Sequence, residues 1–173
     1  ILPPGDIRRA LIALSNSDNR VLSALFNYRF QEGSGLSGHS FGNLMIAALE
    51  RITGSFEQAV LEASKILSVN GKILPVTLKK TALMAELEDG SLIRGESNID
   101  IPKHDGQQAI SKVWLKPAAE INPAAKKAIL SADLIIIGPG DLYTSIIPNL
   151  LVKGVKEALE KTKSKIIYFV NLM

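Results

Sequence analysis

A glycine-rich segment from Ile137 to Ser145 has the residue types of a phosphate-binding loop. Its two glycines leave the main chain open to a phosphate, while backbone N–H groups and the threonine and serine hydroxyls supply donors. The tyrosine is a candidate for stacking on a base. The alternative is a tight turn followed by a helix cap, because isolated glycine loops are weak motifs. The candidate residues are Gly138, Pro139, Gly140, Asp141, Leu142, Tyr143, Thr144 and Ser145.

A second small-residue segment, from Gly33 to Asn43, leads into an apolar helical pattern. Its candidate ligand contacts are Ser37, Gly38, His39 and Asn43. We expect this segment to form the opposite wall of one pocket. His39 either hydrogen-bonds a phosphate or only braces the loop. Neither His39 nor His104 has a histidine or cysteine at metal-ligand spacing, which argues against a zinc site.

Charged residues near the start of the chain form a third candidate. Asp6 can bind Mg²⁺ or a ligand hydroxyl, and Arg8 can pair with a phosphate. The alternative is a helix N-cap at Asp6 and an ordinary helix charge at Arg8. Asp141 is the other candidate Mg²⁺ ligand, because a carboxylate beside a phosphate repels it unless a cation intervenes. Asn171, near the end of the chain, is expected to line the pocket. These residues make no cofactor certain, and Mg²⁺ is the one they suggest.

The elements around the glycine-rich loop must place it at a sheet edge. Ala132 to Ile137 and Lys165 to Val170 are continuous apolar runs, typical of strands buried on both faces of a parallel sheet. A helix from about Ile147 to Lys161 connects them and completes a β-α-β unit. The loop therefore follows the carboxyl end of a strand, where open α/β sheets bind ligands.

The rest of the chain predicts helices first and short strands afterwards. Helices are expected over 7–14, 20–30, 40–54 and 55–70, from apolar residues at helical spacing with turn signals between them. Ser55 is the predicted cap of the last of these, with Gln58 three residues later. From 72 to 115 the runs shorten, and Glu88-Asp89-Gly90 is typical of a hairpin turn. Trp114 lies in one of these runs and is interpreted as a core residue rather than a stacking one. We predict a Rossmann-like three-layer α/β/α fold with a mainly parallel sheet. It forms a single domain over 1–173 with a β-rich insertion at about 72–115.

Composition excludes several classes of function. Across 173 residues, 20 Lys+Arg against 17 Asp+Glu give a net charge of only +3, which argues against a nucleic-acid surface. The chain has no cysteine, so disulfides are excluded and a reducing cytoplasm suits it. No apolar run approaches the ~20 residues of a membrane helix. The chain begins at Ile1 without Met and stops just after a strand-like run, so we expect the domain to be incomplete at both ends.

Several motifs in order resemble one known family, the YvcK/CofD-like proteins. The stretches that carry the resemblance are Pro3 to Arg8, Gly35 to Asn43, Gly71 to Pro75, Glu88 to Gly90, Gly95 to Ser97 and Ala132 to Leu151. The family includes gluconeogenesis factors linked to cell shape and the 2-phospho-L-lactate transferases of coenzyme F420 synthesis. The Gly-Pro-Gly loop resembles the gluconeogenesis-factor branch more closely, although Asp141 stands where that branch usually has serine. The resemblance implies a Rossmann-like sheet and a UDP-sugar ligand such as UDP-N-acetylglucosamine.

Three functions stay open at this point. The first is a non-catalytic, cytoplasmic regulator that binds a nucleotide-sugar, and it is the one the resemblance favours. The second is a Mg²⁺-dependent transferase that moves a phospholactyl-type group from a nucleotide to an alcohol. The third is an interaction module with a vestigial pocket. The expected partner is a small-molecule nucleotide or UDP-sugar, with no nucleic acid and no membrane, and a homo-oligomer is left open.

Overall fold

The computed structural model describes residues 5–16, 20–100 and 108–171. The chain divides into two compact units, Ile1–Pro75 and Val76–Met173, and each is described by itself. The helices are α1 (Gly5–Ala13), α2 (Arg20–Asn27), α3 (Phe41–Thr53), α4 (Phe56–Ile66), α5 (Glu96–Asp100), α6 (Pro123–Ser131), α7 (Ile147–Leu150) and α8 (Val155–Lys161), with a π-helical turn at Leu142–Ile146. The strands are β1 (Ala82–Leu87), β2 (Leu92–Arg94), β3 (Ile110–Lys116), β4 (Leu134–Ile137) and β5 (Lys165–Tyr168).

The first unit packs α1 to α4 around one apolar core. Leu11, Phe26 and Ile46 are fully buried and come from α1, α2 and α3. Val60 and Ala63 bring α4 into the same cluster. The apolar spacing that predicted these helices thus also supplies the faces that they bury.

Side-chain caps fix the ends of α3 and α4. Ser40 accepts a hydrogen bond from the N–H of Asn43 at 3.3 Å, and Ser55 accepts one from the N–H of Gln58 at 3.4 Å. Gly54 ends α3 in the left-handed conformation at φ 70°, which glycine adopts without steric cost. The predicted start and end of α3 and the predicted cap of α4 are confirmed.

Two predictions at the first helices were wrong. Asp6 lies inside the first turn of α1, which already begins at Gly5, so it is not the N-cap. Its carboxylate still complements the positive end of the helix dipole there. The second helix ends at Asn27 rather than at residue 30, because the chain then turns to form a bridge between Arg29 and Ser40.

In the second unit, β1 is the middle strand of an antiparallel sheet with the order β2-β1-β3. Leu83, Ala85 and Leu87 alternate along β1 as its buried face and pack with Ile99 of α5. Residues 88 and 89 form the predicted turn between β1 and β2. Residues 73 and 74, which fall in the part of the chain predicted to be β-rich, lie in an irregular segment.

The parallel strands β4 and β5 pair from Leu134 with Lys165 to Ile137 with Tyr168. The predicted burial of both faces was wrong. On β4, Ile135 and Ile137 turn toward a cavity lined by residues of α6 and α8, whereas Leu134 and Ile136 are exposed. All residues of β5 are exposed. The described part of this unit thus covers β4 with helices on one face only.

The connection between β4 and β5 is broken rather than one continuous helix from 147 to 161. A π-helical turn and the short α7 are followed by a turn, and α8 begins only after Gly154. Gly154 has φ 98°, and a Cβ there would lie 2.7 Å from Cγ2 of Ile121. Positive φ and close packing against Ile121 both require glycine at this position. The conformation of Gly154 separates α8 from the helical turns that precede it.

Asn122 is the N-cap of α6 and offers a first test of the fold. Its side chain accepts a hydrogen bond from the N–H of Ala124 at 3.0 Å, and the residue is almost completely buried. Asn122→Ala is expected to lower the free energy of unfolding by about 1 kcal/mol, because it leaves this N–H without its acceptor. Asn122→Ser should keep more of the stability than Asn122→Ala, because a serine hydroxyl can also accept this bond and buries no charge. Urea unfolding of both variants is the measurement, and equal stability of the two would contradict the capping role.

These elements confirm the α/β class predicted from the sequence. A parallel strand pair with a helical crossover and a separate antiparallel sheet lie in the same unit. Whether the segment at about 72–115 is an insertion into a single domain stays a prediction. Across the ranges 5–16, 20–100 and 108–171, no helix combines the length and apolarity needed to cross a bilayer.

Candidate functional site

The glycine-rich loop lies at the carboxyl end of β4, as predicted. The carbonyl of Ile137, the last residue of β4, accepts a hydrogen bond from the N–H of Phe169 at 2.9 Å. The N–H groups of Ser145 and Ile146 bond back to the carbonyl of Asp141 at 2.8 and 3.1 Å. The N–H groups of residues 142–144 open the helical turn and have no earlier intrahelical acceptor, so they are donors available to an anion.

The two glycines of this loop have different roles. A Cβ on Gly138 would meet nothing within 4 Å, so the main chain is open at this position. A Cβ on Gly140 would lie 3.1 Å from Cβ of Ser145, so this glycine lets the loop fold back on itself. The turn interpretation therefore accounts for Gly140, whereas Gly138 has the open approach that a phosphate needs.

Most side chains of the loop are free to meet a ligand. Asp141 is exposed, and its carboxylate does not cap the following helical turn. Tyr143 is 39% exposed and Thr144 is half-buried. Ser145 is exposed, and its carbonyl accepts a hydrogen bond from Nδ2 of Asn149 at 2.7 Å. Beneath the loop is a mainly apolar cavity of about 290 Å³, which suits a ring or sugar face better than a charge.

In the first unit, the segment from Gly33 to Asn43 is held largely by its own hydrogen bonds. The N–H and C=O of His39 bond to Leu36 and Phe30, while its side chain is exposed. Ser37 donates its hydroxyl to the carbonyl of Gln31 at 3.2 Å. Gly38 has φ 83° and bonds Phe30 through its N–H. These bonds support the bracing interpretation for the backbone of His39 and leave its imidazole available.

Arg8 is more than an ordinary helix charge. Its Nη1 donates to Oδ1 of Asn27 at 2.6 Å, and its Nε is buried without a partner. Burial, together with the positive charges of Arg9 and Arg29, lowers the pKa of the Arg8 guanidinium. Among the residues that the structure describes, no carboxylate lies within ion-pair distance of Arg8. Arg8 is thus a partly buried cation with two like charges nearby and, among the described residues, no carboxylate that neutralises it.

Gly42 explains how Arg8 reaches the start of α3. A Cβ on Gly42 would lie 2.6 Å from the carbonyl oxygen of Phe26 and 2.9 Å from Cδ of Arg8. Only glycine admits this approach. The sequence analysis did not identify Gly42, Arg9 and Arg29 as parts of the site. The only sequence signal for them was Gly42 itself, a small residue at the start of an otherwise apolar helix.

Asn43, the neighbour of Gly42, has a polar atom without a partner. Its Oδ1 is buried and accepts no hydrogen bond from the described residues. A buried unsatisfied acceptor costs about 1 to 3 kcal/mol, which a ligand N–H or O–H donor would recover. Both residues are neighbours of Gly42. The side chain of Arg8 packs against it, and Asn43 follows it in the sequence.

The remaining candidates lie apart from these features. Asp6 is exposed on α1, and Asn171 is exposed after β5. His104 lies outside the described residues. Within 5–16, 20–100 and 108–171, no group of three or more His, Cys, Asp or Glu residues is placed to hold a metal. Asp6, Arg8 and the 33–43 segment belong to one unit and the 138–145 loop and Asn171 to the other, so the single shared pocket stays a prediction.

Comparison with known proteins gives consistent matches over the whole chain. The family model described as "2-phospho-L-lactate transferase CofD" matches residues 1–173. The chain is 49% identical to the gluconeogenesis factor of Bacillus subtilis, over 100% of this chain and 53% of that protein. It is 45% identical to the gluconeogenesis factor of Halalkalibacterium halodurans, over 100% of this chain and 52% of that protein.

A solved structure matches equally well. The crystal structure of a UPF0052 family protein from Bacillus halodurans has a TM-score of 0.90 and 44% identity, covering 98% of this chain and 53% of that chain. The chain thus spans about half the length of each of these three relatives.

Proposed function

The chain belongs to the CofD family, within which its curated relatives are named gluconeogenesis factors, and from this premise we propose that it binds a nucleotide-sugar without turning it over. The ligand is a UDP-sugar such as UDP-N-acetylglucosamine. In this proposal the protein is a cytoplasmic regulator of carbon metabolism and cell shape, and ligand binding sets its activity.

The observation that carries the proposal is the uncompensated positive charge around Arg8. Burial first, and then the positive charges of Arg9 and Arg29, lower the pKa of Arg8 and so disfavour its charge in the absence of an anion. A diphosphate neutralises this repulsion, and arginine binds phosphate oxygens through paired N–H donors. Binding is therefore strongest for a ligand that carries phosphates, as a nucleotide-sugar does.

Two other features support the choice of a nucleotide-sugar over a simple phosphate. The unpartnered Oδ1 of Asn43 suits a hydroxyl or amide donor of the ligand. In the second unit, the open N–H groups at residues 142–144 and the exposed Tyr143 suit a phosphate and a ring. Each of these features is observed within a single unit.

Calorimetric titration of the full-length protein tests this function. The ligands are UDP-N-acetylglucosamine and GDP, each with and without Mg²⁺. We expect saturable binding of the UDP-sugar that does not depend on Mg²⁺, and no release of product when the mixture is analysed afterwards. Absence of UDP-sugar binding would reject the proposal.

The transferase alternative rests on the description of the family model and makes a different prediction. It requires Mg²⁺-dependent binding of GDP without UDP-sugar binding. Asp6 or Asp141 would supply one ligand to the ion, and waters and ligand phosphates would complete its shell, as is usual for Mg²⁺. Both carboxylates are exposed, and Asp6 is two positions from Arg8, which weakens a cation site there.

A further inference from the structure

The side of the antiparallel sheet opposite its buried face has an unusual composition. Because side chains alternate along β1, Met84 and Glu86 point away from the core that Leu83 and Ala85 enter. Met84 lies between Arg94 and Trp114, and Glu86 lies between Leu92 and Lys112. We call this surface the outer sheet face, and its residues are Ala82, Met84, Glu86, Leu92, Arg94, Lys112, Trp114 and Lys116.

The outer sheet face is positively charged. It carries Arg94, Lys112 and Lys116 against the single carboxylate of Glu86. In the described part of the chain, none of these three cations lies within ion-pair distance of a carboxylate. Lys112 instead places Nζ 5.8 Å from the ring centroid of Trp114, a cation–π contact. The face therefore offers uncompensated positive charge around one aromatic ring.

Among the described residues, the edge of the sheet beside this face is unpaired. β3 is an edge strand, and no described strand pairs with its outer side. Alternate residues of β3 thus direct their N–H and C=O groups away from β1. Lysines on an edge strand also discourage aggregation, which would explain Lys112 and Lys116 without any partner. It does not explain the half-buried Trp114 and Met84 and the 64% exposed Leu92 on the same face. The interpretation of Trp114 as a core residue was therefore wrong.

We propose that the outer sheet face docks an acidic, extended segment of a partner protein, which pairs with β3 as an added strand. The segment's carboxylates would lie opposite Lys112 and Lys116, with an apolar residue beside Trp114. A carboxylate is a stronger partner for Lys112 than the ring is, so docking shifts this lysine away from Trp114. The surface has only one aromatic, already covered by a lysine, which favours a polypeptide over single-stranded nucleic acid.

Trp114 makes the proposal directly testable by fluorescence, and Trp114→Phe identifies the part of the signal that comes from this residue. The probe is a short synthetic peptide that repeats Glu-Thr-Val-Thr, which puts glutamate and valine alternately on one face of a strand, and it is added to the full-length protein. We expect the peptide to change Trp114 fluorescence in a saturable, salt-sensitive way. The double variant K112E/K116E should weaken binding at least about tenfold, through the loss of two attractive charges.

A matched control separates the face from general charge effects. K126E/K127E makes the same change in net charge at two exposed lysines of α6 and should bind the peptide like the wild type. Equal weakening by both double variants, or binding without any change in Trp114 fluorescence, would overturn the proposal. Tighter binding of an oligothymidylate than of the peptide would also overturn it and assign the face to nucleic acid. Circular dichroism confirms that both variants are folded.

Discussion

Arg8→Gln is expected to weaken binding of UDP-N-acetylglucosamine at least about thirtyfold, as measured by calorimetric titration. Losing a charged hydrogen-bond donor to a phosphate costs about 2 kcal/mol, which corresponds to this factor. The same change removes the repulsion that Arg9 and Arg29 exert on Arg8 in the free protein. Stability should therefore change little, because Asn27, which accepts the bond from Arg8, is exposed and can bond water instead.

The control for this prediction is Arg51→Gln, which makes the same charge change at an exposed position in the last turn of α3. It should bind the UDP-sugar like the wild type. Arg8→Lys adds a finer test, because lysine keeps the charge but loses the paired donors of the guanidinium. Intermediate affinity is expected for it. If Arg8→Gln and Arg51→Gln bind equally well, Arg8 does not contact the phosphates.

The candidate site could be predicted in part from local sequence, and the successful parts are local ones. Ser55 was recognisable as a cap, with Gln58 three residues later, because a cap acts over three residues. The glycine-rich loop was placed at the end of β4 because an apolar β-branched run precedes it. In both cases the relevant contacts lie close together in the sequence.

The parts that sequence reasoning missed depend on contacts between distant residues. Arg8 and Arg29 are brought near each other by packing α1, α2 and α3 together, and no local pattern encodes this. Gly42 similarly has its role only because the carbonyl of Phe26 approaches it. For β4 and β5 the sequence pattern predicted burial of both faces, which the structure does not show. An apolar run predicts that a strand prefers burial, but the number of helices that cover it depends on the rest of the fold.

Phe26 links the core of the first unit to the candidate site, and its removal should have the largest effect on stability. The side chain is fully buried, packs edge to face on Phe41 with ring centroids 6.4 Å apart, and lies against Gly42. Phe26→Ala is expected to lower the free energy of unfolding by about 3 to 5 kcal/mol, through lost burial and the cavity left behind. Urea unfolding followed by far-ultraviolet circular dichroism measures this loss.

Val21→Ala on the same helix is the control, because Val21 is 81% exposed and its truncation should cost less than about 0.5 kcal/mol. The two variants also distinguish a packing role from a ligand role. Because Phe26 packs against Gly42, next to Asn43, Phe26→Ala should weaken UDP-sugar binding only as far as it loosens the start of α3. Amide hydrogen exchange of residues 41–44 should then rise in parallel with the loss of affinity. A loss of affinity without faster exchange there would mean that the Phe26 ring contacts the ligand itself.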